Sequence, residues 1–171
     1  MRRMIQILGA VAAGGLAVAC SGGSAGDGVG DANCPAYVVP AGTDLTTPVV
    51  TFKAQVVGTI FVNNCGTSSC HGVTPGMGGL FLGTSTADAP TVYAELVGKD
   101  STELLSMPFV TAGDPEQSYL MHKMDGDQCQ FNQQCVAPGC MASMPYGATM
   151  ALPVAYRDLV RRWIAQGAQD D

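Results

Sequence analysis

The chain has 171 residues and a net charge of −6, with fourteen acidic residues against eight basic ones. Two of the basic residues, Arg2 and Arg3, belong to the amino-terminal segment, and without them the net charge is −8. A surface this acidic disfavours nucleic acid and anionic lipid headgroups as partners.

The amino-terminal segment is typical of an export signal. A basic start precedes an apolar run from Ile5 to Val18, which is too short to span a membrane. The following Cys20 resembles the acylated cysteine of a bacterial lipobox, although Ala17 stands where such boxes prefer leucine, and a plain signal peptide is the alternative. We predict a lipoprotein signal peptide over residues 1–19 and lipidation of Cys20. Ser21 indicates outer-membrane sorting, which places the protein in the cell envelope, facing the periplasm or the surface.

Small and polar residues follow the signal. Residues 20–33 are rich in glycine and serine, which predicts a flexible lipidated tether. The remaining residues, 34–171, have the length of one domain with one core. Because the mature chain is exported, its cysteines are free to form disulfides.

The periodicity of apolar residues predicts four helices. The first covers Val50–Asn64, where Phe52, Val56 and Ile60 recur every four residues, although the β-branched content leaves a strand as the alternative. The second covers residues 88–98, with Asp88 as its cap and with Tyr93, Leu96 and Val97 as its buried face.

The last two helices have stronger boundary signals. In "GDPEQSYLMHKM", Asp114 caps the helix and Pro115 takes its first position. In "LPVAYRDLVRRWIAQGA" one apolar stripe ends at Gly167 and consists of Tyr156, Leu159, Val160, Trp163 and Ile164. We therefore predict an all-α domain with long connections rich in glycine and proline, which needs disulfides or a cofactor to pack around.

The segment "NNCGTSSCHG" carries the most specific chemistry. The usual c-type haem attachment site is Cys-x-x-Cys-His, whereas here Cys65 and Cys70 are separated by four residues and His71 follows. Two extra residues must bulge out if both thiols bind haem. The alternative is a Cys65–Cys70 disulfide beside an incidental histidine.

Counting cysteines does not separate these alternatives. If Cys20 is lipidated, six cysteines remain. They form two disulfides if Cys65 and Cys70 hold haem, and three if they do not. The segment "CVAPGC" repeats the spacing at Cys135 and Cys140 without a histidine, which counts against haem. A zinc site from the cysteines and His71 is a third alternative that oxidation of exported thiols disfavours.

The order of several motifs resembles a known family. A helix leading into Cys-to-Cys-His-Gly is followed by "GGLFL", "GDPEQSYLMHKM", "SMPYG" and "RRWIAQGA". This order is similar to that of the cytochrome c-like domains of exported bacterial proteins, over about residues 48 to 168. The resemblance implies the small class I cytochrome c fold and covalent haem c. It also implies thioether bonds at Cys65 and Cys70, His71 as proximal ligand and Met144 as distal ligand.

Met144 is also favoured by its own sequence context. An imidazole and a thioether as axial ligands give iron with no open position, which suits an electron carrier. Pro145 restricts the backbone beside Met144, while Met141 and Met150 are the competing methionines. His122 is the alternative for a bis-histidine centre. Residues that could line an apolar haem crevice are Gly72, Pro75, Leu80, Tyr119, Tyr146 and Trp163.

No pattern of catalytic residues stands out. With two histidines, a Ser-His-Asp arrangement finds no support, and no phosphate-binding loop occurs, so we expect no enzyme activity. One hypothesis is a lipid-anchored monohaem c-type cytochrome that carries single electrons between redox protein partners. The other is a haem-free lipoprotein stapled by disulfides, with a cytochrome c-like scaffold and a binding or envelope role.

Overall fold

The computed structural model describes residues 34–136, 139–148 and 150–171. These residues form helices and loops with isolated bridge pairs but no β-strand, which confirms the all-α class for this part of the chain. The predicted signal peptide (1–19), the lipidated Cys20 and the tether (20–33) lie outside the described residues. None of the described helices is both long and apolar enough to cross a bilayer.

Helix α1 comprises Phe52–Phe61 and its continuation Val62–Asn64. Over its first part the turns are wide, because the N–H of Val62 bonds to the carbonyl of Val57, five residues earlier. The predicted helix is confirmed and the strand alternative is wrong. The five apolar residues that face the core are at most 1% exposed and are Phe52, Val56, Val57, Ile60 and Phe61.

Helix α2, Ala89–Leu96, differs from its prediction in cap and in buried face. Asp88 occupies the predicted cap position, but its side chain makes no cap bond to α2. The side chain that caps is Ser85, which accepts from the N–H of Ala87 in the preceding turn, Thr86–Asp88. The buried residues are Ala89, Val92 and Leu96, at spacings of three and four. The predicted Tyr93 and Val97 are only partly buried, because the helix ends at Leu96 and Val97 is extended.

The predicted third helix is divided by Ser118. Asp114 caps a single tight turn, Pro115–Gln117, by accepting from the N–H of Gln117 at 3.2 Å. The Ser118 hydroxyl then bonds to the Asp114 carbonyl at 2.8 Å, and its extended backbone interrupts the helix. Helix α3 therefore begins at Tyr119 and runs over Tyr119–Asp125 until Gly126, whose φ is +82°.

Helix α4, Val154–Ala165, packs against α1. The rings of Phe52 and Trp163 stack with their centroids 4.7 Å apart, and Trp163 is 1% exposed. The chain beyond α4 also contacts α1 through Asp171. Its backbone carbonyl accepts from the Lys53 N–H at 3.0 Å, and its carboxylate accepts from the Phe52 N–H at 2.8 Å. The first and last helices thus share one side of the core.

Charged residues are buried where α3 meets α4. Asp125 on α3 accepts from both Arg157 and Arg161 on α4, and the ring of Tyr37 covers both guanidinium groups at 4.6 and 4.7 Å. The sequence stripe did not predict this, because Arg157 and Arg161 were not among its members. These contacts also attach the residues near Cys34 to the helical body.

Two disulfides link the loops to this body. Cys34 pairs with Cys129, and Cys135 pairs with Cys140. Cys65 and Cys70 are free thiols. This is the pairing expected if these two cysteines are kept for another use, and it confirms that the chain contains disulfides.

Candidate functional site

The Cys65-to-His71 segment is a compact turn at the end of α1. The N–H groups of Cys65 and Gly66 both bond to the Phe61 carbonyl at 2.8 Å, which ends the helix. The N–H of Cys70 bonds to the Thr67 carbonyl at 2.9 Å, and the N–H of His71 returns to the Cys65 carbonyl at 3.0 Å. The additional residues of the spacing therefore fold into a turn of their own, and the backbone of His71 lies against that of Cys65.

Two glycines make this close backbone contact feasible. A Cβ at Gly72 would lie 2.2 Å from the carbonyl oxygen of Gly66, and a Cβ at Gly66 would lie 2.0 Å from that of Gly83. No side chain fits at either position without moving backbone. The sequence analysis predicted only a lining role for Gly72. It could not predict the need for Gly66, which depends on the carbonyl of Gly83, 17 residues further along the chain.

One ring nitrogen of His71 is hydrogen-bonded to the backbone. Its side chain is buried, and Nδ1 lies 2.8 Å from the carbonyl oxygen of Leu80. Because a carbonyl only accepts, Nδ1 carries a proton, and in the neutral form of the ring Nε2 keeps the lone pair that can bind a metal. Among the described residues Nε2 has no hydrogen-bond partner. A backbone carbonyl on the second nitrogen is the usual support of a metal-binding histidine.

The free thiols of Cys65 and Cys70 lie next to this imidazole along the turn. Both residues are half-buried. Burial raises the pKa of the Cys65 thiol to about 12, and the neighbouring Cys70 adds to the shift. Cys65 therefore stays protonated at neutral pH.

Met144 is held against helix α3. It is half-buried, and its N–H donates to the carbonyl of Lys123 on α3 at 2.8 Å. Within the described residues no hydrogen bond joins the Met144 segment, residues 139–148, to the turn of His71. The competing Met141 and Met150 are 61% and 81% exposed, so Met144 is the most buried of the three.

His122 has both ring nitrogens engaged. Nδ1 lies 2.8 Å from the carboxylate of Asp127, and Nε2 lies 3.1 Å from the Glu116 carbonyl. Burial alone would lower the pKa of His122, but the hydrogen bond and charge of Asp127 raise it, and the net shift is upward. These contacts disfavour a bis-histidine centre, because no nitrogen of His122 is available to a metal.

Two of the predicted crevice residues lie beside His71: Gly72 follows it in the chain, and the Leu80 carbonyl accepts from its Nδ1. Leu80, Tyr119 and Trp163 belong to the core, whereas Tyr146 is 71% exposed and Pro75 is also exposed. Two surface cavities of about 300 and 440 Å³ lie instead near the first turn of α1 and the end of α4. Neither is lined by Cys65, Cys70, His71 or Met144.

The described part of the chain contains no arrangement of side chains that would support the zinc alternative. There, no three side chains of histidine, cysteine, aspartate or glutamate are grouped to hold a metal ion. The imidazole of His71 and the thiols of Cys65 and Cys70 are the kinds of group that hold covalent haem.

Comparison of the chain with protein-family models, curated proteins and solved structures finds no match.

Proposed function

We propose that this protein is an exported, lipid-anchored monohaem c-type cytochrome that carries single electrons. The observation that carries the proposal is the state of His71: its Nδ1 bonds to the Leu80 carbonyl, and its Nε2 has no hydrogen-bond partner among the described residues. The same turn carries the unpaired thiols of Cys65 and Cys70. His71 would bind the iron, and Cys65 and Cys70 would hold the haem covalently. When bound, haem supplies a redox-active iron.

The disulfide pairing supports this proposal. Besides Cys65 and Cys70, the described residues contain four cysteines, which pair as Cys34–Cys129 and Cys135–Cys140. Cys65 and Cys70 remain reduced, although neighbouring exported thiols would ordinarily oxidise. A function that requires both thiols would explain why neither takes part in the disulfides that link the loops to the helical body.

The arrangement of the helices also supports a cytochrome c-like domain. The first and last helices pack together through Phe52 and Trp163, as the resemblance to cytochrome c-like domains implies. The end of α1 then leads straight into the Cys65 turn. Met144 would provide the second protein ligand of the iron. A thioether in this role raises the reduction potential relative to a second imidazole.

The partners follow from location and charge. Cys20 would attach the protein to the membrane through its lipid, and residues 20–33 would let the domain reach redox proteins of the envelope. The acidic balance of the chain favours partners with a basic docking face and disfavours nucleic acid.

The proposal is tested by covalent haem retention in single variants. The chain is exported from a host with a c-type haem maturation system, denatured, separated on a gel and stained for haem. Wild type should retain haem, Cys65→Ala and Cys70→Ala should each weaken attachment, and His71→Ala should lose the native spectrum. His122→Gln is the matched control, because its nitrogens are already engaged, and it should behave as wild type. Absence of stain from wild type would overturn the proposal.

A haem-free, disulfide-stapled lipoprotein with a binding or envelope role is the second candidate. One observation favours it: the cavities of about 300 and 440 Å³ are lined by residues other than His71, Cys65 and Cys70. In this case Cys65 and Cys70 would form a third disulfide after export. The intact mass distinguishes the candidates, because each disulfide removes two hydrogens whereas haem adds its full mass.

A further inference from the structure

The segment from Cys140 to Met144 is held by side chains that the sequence did not single out. The carboxamide oxygen of Asn132 accepts from the Cys140 N–H at 2.9 Å, and Gln128 Nε2 donates to the Met141 carbonyl at 3.1 Å. Lys123 Nζ donates to the Cys140 carbonyl at 3.0 Å. We call Lys123, Gln128 and Asn132 the clamp.

Lys123 holds both ends of the segment. Its ammonium group bonds to Cys140, and its own backbone carbonyl accepts from the N–H of Met144 at 2.8 Å. One residue of α3 therefore fixes the start and the end of a five-residue segment. Since α3 is part of the core, this places the Met144 backbone relative to a rigid helix.

The ammonium group of Lys123 is fixed in turn by buried partners. It pairs with Glu103 at 2.8 Å, and the Tyr119 hydroxyl donates to the same carboxylate at 2.7 Å. The Lys123 side chain is 9% exposed and that of Glu103 is 20% exposed, so this pair is mostly withdrawn from solvent. A buried lysine needs such partners, and the rotamer that satisfies them also aims Nζ at Cys140.

Gln128 contributes a hydrogen bond to the clamp although one of its own polar atoms is left unpaired. Its Oε1 is buried and has no hydrogen-bond partner in the described residues, while its Nε2 holds the Met141 carbonyl. A leucine of similar size would avoid the unpaired oxygen. The glutamine therefore keeps a contact to the segment at the expense of an unsatisfied acceptor.

From these contacts we infer that Lys123 is a positioning residue for Met144, and that the clamp sets where the thioether of Met144 lies as the distal ligand. This inference depends on the proposed function. Lys123 does not bind the iron itself; it acts through the backbone of residues 140–144.

The test compares Lys123→Met with Lys53→Met in the full, haem-loaded protein. Lys53 is an exposed helical lysine whose side chain makes no hydrogen bond with the described residues, so its substitution removes the same charge without touching the clamp. Three quantities are measured: the exchange rate of the Met144 amide, the NMR signal of an iron-bound methionine methyl group, and the reduction potential. Gln128→Leu is added because it should fold even if Lys123→Met does not.

For Lys123→Met we expect the Met144 amide to exchange on the order of tenfold faster, the value for loss of one charged hydrogen bond. The bound-methionine signal should weaken and the reduction potential should fall, because thioether ligation favours the reduced iron. Gln128→Leu should change the same three quantities in the same direction by less, and Lys53→Met should leave them as in wild type.

A merely structural role for Lys123 would lower stability without altering ligation. Wild-type methyl signals and potential in Lys123→Met, or in Gln128→Leu if Lys123→Met fails to fold, would overturn the inference while leaving the cytochrome intact. A colourless wild-type protein would instead overturn the proposed function, and the positioning role with it.

Discussion

Replacing Asp125 with leucine should destabilise the protein more than most single substitutions, because one carboxylate serves two buried cations. Asp125 accepts from Arg157 and from Arg161, whose side chains are 8% and 1% exposed, while its own is 7% exposed. The substitution leaves both guanidinium groups without this partner in a region that water barely reaches. Arg157 keeps a bond to the Leu152 carbonyl and Arg161 keeps Asp158.

Breaking a buried pair in this way costs about 3–5 kcal/mol. For a domain of this length the loss corresponds to a fall in Tm of roughly 10 °C or more. The stack on Tyr37 does not compensate, since a cation over an aromatic ring contributes only about 0.5–2 kcal/mol and exists already in the wild type.

The assay is urea unfolding followed by circular dichroism, with Asp158→Asn as the matched control. Asp158 also pairs with Arg161, but its side chain is 19% exposed and lies one turn away on the same helix, so its loss should cost about 1 kcal/mol or less. Adding Arg157→Met and Arg161→Met to Asp125→Leu should restore much of the stability, because an apolar cluster replaces a charged one. A loss in Asp125→Leu no larger than that of Asp158→Asn would refute this account of the cluster.

Four further outcomes are expected. Trp163→Ala should cost about 3–5 kcal/mol in urea unfolding, because it removes the ring stacked on α1 and opens a core cavity. Gly72→Ala should cost about 1–3 kcal/mol and speed amide exchange in the turn, since its Cβ would collide with the Gly66 carbonyl; unchanged exchange would contradict the geometry. The raised pKa of His122 stabilises the folded state below about pH 6.5, and this contribution is lost as pH rises through the raised pKa. The stability advantage of wild type over His122→Gln should therefore shrink in urea titrations as the pH rises above about 6.5; an advantage that grew with pH would contradict the upward shift of the pKa. In the haem-free protein, Cys65 should be alkylated slowly at neutral pH, because a pKa of about 12 in place of 9.0 lowers its thiolate fraction about a thousandfold; rapid alkylation located by mass mapping would contradict its burial.

Local patterns predicted the helices well where one face is apolar. The α1 stripe and the core of the α4 stripe are buried as their spacing indicates. Ser118 shows the limit of this approach, because it breaks the third helix through bonds to Asp114 and Thr111 that its neighbours in sequence do not reveal.

Buried charges were missed for a related reason. Arg157, Arg161 and Lys123 are compatible with an exposed helix face, and burial becomes favourable only when Asp125 or Glu103 lies opposite. Those partners are 20 to 36 residues away along the chain. Pairing at that distance depends on how the helices pack, which the sequence pattern alone does not specify.

The candidate site was predictable in part. The residue types at Cys65, Cys70 and His71 indicated the chemistry, but the carbonyl that orients His71 belongs to Leu80, in a loop with no sequence signal for that role. The number of cysteines was compatible with two disulfides or with three. Which cysteines pair depends on which loops the fold brings together. The placement of Met144 beside the iron remains a prediction.

The most direct test of the cytochrome proposal is one reduced-minus-oxidised absorption spectrum of the mature wild-type protein, taken with its intact mass. The account predicts the sharp α-band of a low-spin c-type haem and a mass that includes one haem and two disulfides. A colourless protein whose mass shows Cys65 and Cys70 joined in a third disulfide would contradict it.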